Sequence, residues 1–489
     1  MHRETITSTA ISRLAALEIN LLPELLLGGL CLLVGIAIVR MPNAAWALLG
    51  LAVGIALLEL PPAIWVIAAV AAAGLLRMAV WFGLPSFLDF LHFPLVLGAV
   101  VAVTLKTRHL DGLARKLRLG AFVLLVISII SCLINGGEPL RPVLVWLVFL
   151  EPFLLLFALI ASKPGPMLAG VLWRTVLLIA ALQLPLGIFQ YLFIAHGNPD
   201  FVEGTFFGQS GGAHVSGAAA LIGVLLCIAR AAYLPSARRF KYFIAAGLMF
   251  ILPVISDAKQ TIVCFLPGLL LLILLSGRMR LSRIVVPTAV TTLILSLAYI
   301  YYPPLQMVAN PDLIWGGLNT KMVGVRHVFQ HLDDAPAGWV LGLGPGNSIS
   351  RVAWLSSGGL AMESSPVSKL GLKLAPTTKE LLLDDQQNFL ANSSVFTMIS
   401  SWLGLLGDLG ILGLMTYVLV CIAVWKAVSY PNCWENAAAK AGMTMAGLLG
   451  IFYSWLEEPG FTLLLAAVIG LAILAGKRQN SPEVPEFQI

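Results

Sequence analysis

The stretch "VLVWLVFLEPFLLLFALIAS", residues 143–162, holds one ionisable side chain in twenty. As a helix rising 1.5 Å per residue, it is long enough to cross a hydrocarbon layer of about 30 Å. Runs of this kind recur from one end of the chain to the other. Strands of a membrane barrel would instead show short alternating segments, and none is seen. Composition agrees: 59% of the 489 residues are hydrophobic and only 11% charged, where a soluble chain carries about 25% charged residues. Mean hydropathy is +0.93. The expectation is an all-α polytopic membrane protein.

Apolar runs bounded by charge, proline and glycine give about fourteen spans by the ~20-residue criterion. They cover 21–39, 43–60, 62–82, 87–105, 119–135, 143–162, 171–195, 212–233, 242–258, 260–276, 284–302, 395–425, 438–456 and 459–476. The N-terminus does not read as a cleavable signal peptide, because no small-residue cleavage site follows its apolar run. The six cysteines show no metal-ligand spacing, and no disulfide is expected. The formal charge of +6 arises mostly in short loops, so it speaks to orientation and not to nucleic acid.

Four basic segments, 106–118, 235–241, 278–283 and the tail from Lys477, belong in the cytoplasm by the positive-inside rule. An even number of spans separates each pair, so both termini are cytoplasmic. Segments 196–211, 303–394 and 457–460 are then extracytoplasmic. The chain divides into N-terminal helices (1–185), central helices with outer-loop motifs (186–302), one large outer loop (303–394), and C-terminal helices with a short tail (395–489). The large loop carries six basic and seven acidic residues, and its scattered apolar residues suggest short helices lying against the membrane.

The polar residues of the outer segments are the candidates for chemistry. Arg326 offers a planar fork suited to phosphate oxygens, or it is a snorkelling anchor. Sixteen residues on, "GLGPG" places Gly342, Gly344 and Gly346 where a backbone passes close to a ligand or another helix, or simply turns. His327 and His331 share a helix face with Asp334 one turn further, a spacing open to a metal; a general-base role fits an imidazole better. "FVEGTFFGQSGGAHVSG" (201–217) combines Glu203 and His214 with five glycines and could shape a sugar pocket or a flexible turn. In "SDAKQT", Asp257 and Lys259 sit at membrane depth, where charge suggests function, or form a local ion pair. Glu363 and Arg351 lie in the large loop. Glu151 needs a buried partner; Arg77 and Arg174 are candidates, and a bridge between helices is the simplest role.

Four motifs in order, "VEGTFFGQSGGAHVSG", "SDAKQTIVCFLPGLLLLILL", "VRHVFQ…GLGPGN" and "SSWLGLLGDLGILGLM", resemble the O-antigen ligase and O-antigen polymerase (Wzy-like) superfamily over about residues 185–425. The resemblance implies a fold like that of C-class membrane glycosyltransferases, needing no cofactor and no metal. It implies a donor glycan on undecaprenyl diphosphate and transfer at the periplasmic face, in O-antigen or exopolysaccharide synthesis. Membrane lipids and other polysaccharide export components would be its partners. Arg326 followed by Gly342 looks like the family's loop arginine and glycine. Ligases carry a histidine and asparagine before the last motif, where this chain has Ile399 and Ser400, so polymerase is favoured. Polymerases often have a second arginine in the earlier outer loop; segment 196–211 has none, and Lys259 would supply that charge. On this reading Arg326 and Lys259 bind the diphosphate with Asp257, the three glycines, His331 and Arg351 around it. Glu203, His214, His327 and Glu363 are the base candidates. The competing classes are a lipid-linked oligosaccharide flippase or transporter and a non-catalytic scaffold.

Overall fold

The computed structural model describes residues 59–107, 109–196, 198–208, 211–276, 311–356, 378–380, 399–428 and 433–479. Expected spans 21–39 and 284–302, nearly all of 43–60, basic segment 278–283 and Glu363 lie outside them. The chain clusters into two units, 1–62 and 63–489, and the helical bundle belongs to the second. Every regular element among the described residues is a helix.

The long helices are α1 (Pro62–Trp81), α2 (His92–Lys106), α3 (Gly112–Ile134), α4 (Arg141–Ser162), α5 (Pro166–Phe193), α6 (Gly212–Tyr233), α7 (Ser236–Ile255) and α8 (Lys259–Ser276). After them come α9 (Pro311–Asp334), the short α10 (Gly338–Leu341) and α11 (Arg351–Ser356), then α12 (Ser401–Ala427), α13 (Trp434–Phe452) and α14 (Pro459–Gln479). Among the described residues nine helices are long and apolar enough to cross a membrane, α2 together with the turn before it. Helices α7 and α13 occupy expected spans 242–258 and 438–456 but do not reach that standard, since α7 opens on Arg238, Arg239 and Lys241 and α13 carries Glu435 and Lys440. The outside of the bundle is oily, with Leu105, Leu133, Leu192, Leu274 and Leu419 all exposed. A surface of that kind suits acyl chains and not water. This is a helical membrane protein.

Helices α6 and α14 are buried along nearly their whole length and form the centre. Small residues let α6 approach its neighbours: a Cβ at Gly217 would stand 2.8 Å from that of Ala258, and one at Gly223 would stand 2.6 Å from the Met249 sulfur. The first and last segments of the chain interleave, because α3 packs on α12 and α4 on α14. Up-and-down alternation brings two sets of connections to opposite ends. At one end Lys477 and Lys163 both reach Asp111, at 2.6 and 3.5 Å. The other end gathers 82–91, 135–140, 194–196, 198–208, 256–258, 335–350 and 453–458, joined by Asn135 to Gly342, Arg77 to Gly208 and Arg351 to Glu458. We call it the polar end.

The large loop contributes more than short helices. Helix α9 runs 24 residues: proline opens it at the first helical position, and no further proline interrupts it before Pro336. Its inner face sets Val328 and Leu332 against Leu343 and Ile349. Lys321 donates to the carbonyls of Ile399 (2.8 Å) and Phe452 (2.6 Å), tying α9 to the end of α13.

Glu151 finds its partner in His92, not in Arg77 or Arg174. The imidazole Nδ1 lies 2.6 Å from the carboxylate, and both side chains are buried. Arg77 is engaged by Asp89 instead, and Arg174 is exposed. The bond crosslinks α2 to α4, the bridging role expected of Glu151.

Backbone packs closely against backbone where α10 and the loop after it meet α12. Gly410 kinks α12 at φ 64°, and a Cβ there would run into the Val340 carbonyl. Gly342, at φ 77°, faces the Asp408 carbonyl just as closely. Neither position admits a side chain on either count. Gly410→Ala should lower stability by more than about 1 kcal/mol. Gly447→Ala, at an ordinary helical position with open space around it, should be neutral or stabilising. Thermal unfolding of both variants in detergent micelles checks the contrast.

Candidate functional site

The polar end is built from two buried loops. The first, 202–208, is held by two glutamines seven residues apart on one face of α5. Gln190 Oε1 accepts the amides of Glu203 (2.8 Å) and Gly204 (2.6 Å), while its Nε2 donates to the Gly204 carbonyl at 2.8 Å. Gln183 Oε1 accepts the Thr205 amide at 3.0 Å, and its Nε2 donates to the Thr205 hydroxyl at 2.8 Å. Gly204, at φ 56°, brings its backbone against Gln183 where a Cβ would have no room.

This cradle buries Glu203, with 7% of its surface exposed. Its Oε2 accepts the Gly208 amide at 2.5 Å. Burial pushes the carboxyl up to about 7, against the downward pull of the Gly208 amide and the Arg77 charge. Arg77, on α1, donates through Nη2 to the Gly208 carbonyl at 2.7 Å and through Nη1 to Asp89 at 2.6 Å. A continuous polar chain thus runs from Glu203 through Gly208 and Arg77 to Asp89.

The second loop, 342–350, carries the "GLGPGN" glycines. The chain passes close to another helix here, one of the alternatives left open by the sequence. Leu343 N donates to Gly407 O at 2.7 Å, and a Cβ at Gly404 or Gly407 would crowd Ser350 or Ser348. Asp408, fully buried, accepts the Ser348 amide (2.9 Å) and hydroxyl (2.6 Å). Arg141, at the start of α4, donates from the opposite side to Asn347 Oδ1 and to the Gly346 carbonyl, and pairs with Glu138 at 3.2 Å. Gly342, Gly344 and Gly346 are all buried in this contact.

Loop two delivers Arg351 into a pair of acids. Its amide donates to Glu457 Oε2 at 2.6 Å and its guanidinium to Glu458 Oε2. Glu457 and Glu458 come from the turn between α13 and α14 and are 2% and 4% exposed. Burial holds the Glu457 carboxyl well above the usual range, opposed by the Arg351 amide. Burial likewise lowers the Arg351 value, against the raising effect of Glu457, Tyr453 and Asp89. Arg77 also bears on Arg351, so the two arginines and Asp89 share one neighbourhood.

His214, in the first turn of α6, stands edge-on to Trp455, ring centres 6.4 Å apart. Asp257 and Lys259 form the local ion pair, at 2.8 Å across a turn in which Asp257 has φ 54°. Burial raises the Asp257 carboxyl and the Lys259 hydrogen bond lowers it.

Arg326 is not brought to this neighbourhood. It is exposed, on the face of α9 turned away from Val328 and Leu332 and hence from Gly342. His327 is half-buried one residue on, and His331 approaches Glu380 at 3.9 Å. Among the described residues no group of three or more His, Cys, Asp or Glu could hold a metal. As members of the site, Arg77, Asp89, Arg141, Gln183, Gln190, Glu457 and Glu458 were not marked by the sequence motifs, and Asp408 lay inside the fourth motif without being singled out. Two adjacent acids between apolar runs, and glutamines seven apart inside a span, were the available signals.

Glu203 gives the site a pH signature. Its folded value exceeds the ordinary ~4.3, so the folded state binds the proton more tightly than the unfolded one. Stability therefore declines as pH rises from the ordinary glutamate value to about 7. Glu203→Gln should remove that part of the slope, read from unfolding midpoints at a series of pH values. By sequence, no protein-family model and no curated protein matches the chain.

Proposed function

We propose that the protein is a membrane glycosyltransferase that polymerises or transfers oligosaccharide units carried on undecaprenyl diphosphate. The polar end would face the periplasm of a bacterial inner membrane, with both termini cytoplasmic. Three of the four basic segments, 106–118, 235–241 and the tail at Lys477, leave the bundle at the opposite end, which supports that orientation.

The observation that carries the reading is the arrangement of Arg77, Arg351 and Glu203. The arginine side chains remain 24% and 21% exposed although each is anchored by a carboxylate. Each fork is thus oriented while part of its side chain stays exposed. Two such forks can neutralise charge growing on a departing diphosphate. The role expected of Arg326 and Lys259 passes to this pair, because Arg326 is turned outward and Lys259 is engaged by Asp257.

Glu203 is the base. Ionised above about 7, it takes the proton of the acceptor hydroxyl as that oxygen bonds to the anomeric carbon. The bond from that carbon to the phosphate oxygen breaks, and its electron pair leaves with the diphosphate. Asp89 and Glu458 hold the forks; they do not touch the reacting atoms.

Purified protein incubated with a diphosphate-linked repeat unit tests this. Longer chains mean polymerase, transfer to an added acceptor means ligase, and movement of the unit without new bonds means flippase or transporter. Glu203→Gln should lower kcat by roughly 10²–10⁴-fold. The wild-type rate should rise with pH, half-maximal near the Glu203 value. Arg351→Lys should lose activity that Arg326→Lys keeps, since a point charge does not replace an oriented fork. Full activity in both Glu203→Gln and Arg351→Lys overturns the assignment.

A further inference from the structure

We propose that a cavity of about 290 Å³ between α4, α12, α13 and α14 is a lipid site, taking one acyl chain of an anionic phospholipid whose phosphate rests at Lys426 and Lys440. Its wall includes Phe153, Tyr417, Trp425, Gly447 and Ile469 and is almost wholly apolar. It is roughly twice the size of a ~150 Å³ apolar cavity that stays dry and accepts benzene. Water finds few partners in such a space, and hydrocarbon fits it. Ile422 lines the cavity and is also exposed on the outside of the bundle, so the space reaches the surface that acyl chains touch.

The head group follows from charge. On α12 the wall ends at Trp425, and the next residue, Lys426, is exposed. Lys440, on α13, places its Nζ 5.2 Å from the centre of the Trp425 ring. Two cations at one mouth of an oily cavity complement a lipid phosphate. The two lysines lie toward the end of the bundle remote from Arg77 and Arg351, so the head-group site does not depend on the proposed diphosphate clamp, while the far end of the wall reaches Leu456, beside Glu457.

The wall contains its own reporters. Trp402 and Trp425 both line the cavity, and bromine on an acyl chain quenches tryptophan emission at short range. Gly447 offers a way to fill the space, because a Cβ built there meets no atom within 4 Å. The protein is placed in nanodiscs of phosphatidylcholine, with a fixed minority of either phosphatidylcholine or phosphatidylglycerol carrying brominated chains. Brominated phosphatidylglycerol should quench more. Gly447→Leu and Gly447→Phe should each abolish the excess, and the double variant Lys426→Gln, Lys440→Gln should remove the preference for phosphatidylglycerol. Equal quenching by the two lipids, or quenching unchanged in both filling variants, means ordinary surface lipid and overturns the site. Excess quenching that undecaprenyl phosphate displaces and unlabelled phosphatidylglycerol does not also overturns it, by making the occupant an isoprenoid.

Discussion

The polar end depends on one contact, main chain against main chain, where Gly342 meets Asp408 and Gly410 meets Val340. With a side chain at either glycine, α10 and the loop after it would stand away from α12. Asp408 would then lose the Ser348 amide and hydroxyl, a buried carboxylate without donors being far costlier than one with them. Further along the same loop, Arg351 reaches Glu457 and Glu458 from the seat that residues 342–350 occupy. The glycines serve the site through packing, as the hinge that delivers an arginine.

Two cations at this end donate to acceptors on elements distant in sequence. Arg141 clasps Asn347, and Arg351 is held by acids from the turn before α14. Each clasp joins helices that hydrophobic packing alone would leave free to slide, since in lipid apolar side chains gain little by meeting one another. His92 and Glu151 do the same between α2 and α4. Polar groups thus set the register of the bundle, and the arrangement that fixes the helices also aims Arg77 and Arg351.

Helical periodicity and length are local properties, and the spans came from them. All eleven expected spans that fall substantially within the described residues are helical, including α12 and α13, whose ends differ from expectation by a few residues. Segment 201–217 was legible as special because a carboxylate, a histidine and clustered glycines stand together at the entry to a span, and the glycine run because "GLGPG" is a poor helix former. Their partners were not legible. Arg326 stood out because it precedes a glycine run at a suggestive spacing, yet helix α9 continues through it and rotates it away from the packed face. As site residues Arg77 and Asp89 did not stand out, being set among apolar residues of a segment that otherwise reads only as spans.

By itself the sequence determined the class of molecule and the position of the spans that the described helices occupy. Those follow from transfer of apolar surface and from the need to satisfy backbone hydrogen bonds within each span. Which cation faces which carboxylate was decided only in three dimensions. A helix presents a given residue once every 3.6 positions, and its neighbours, here 131 residues from Arg77 to Gly208 or 107 from Arg351 to Glu458, are chosen by packing and not by spacing.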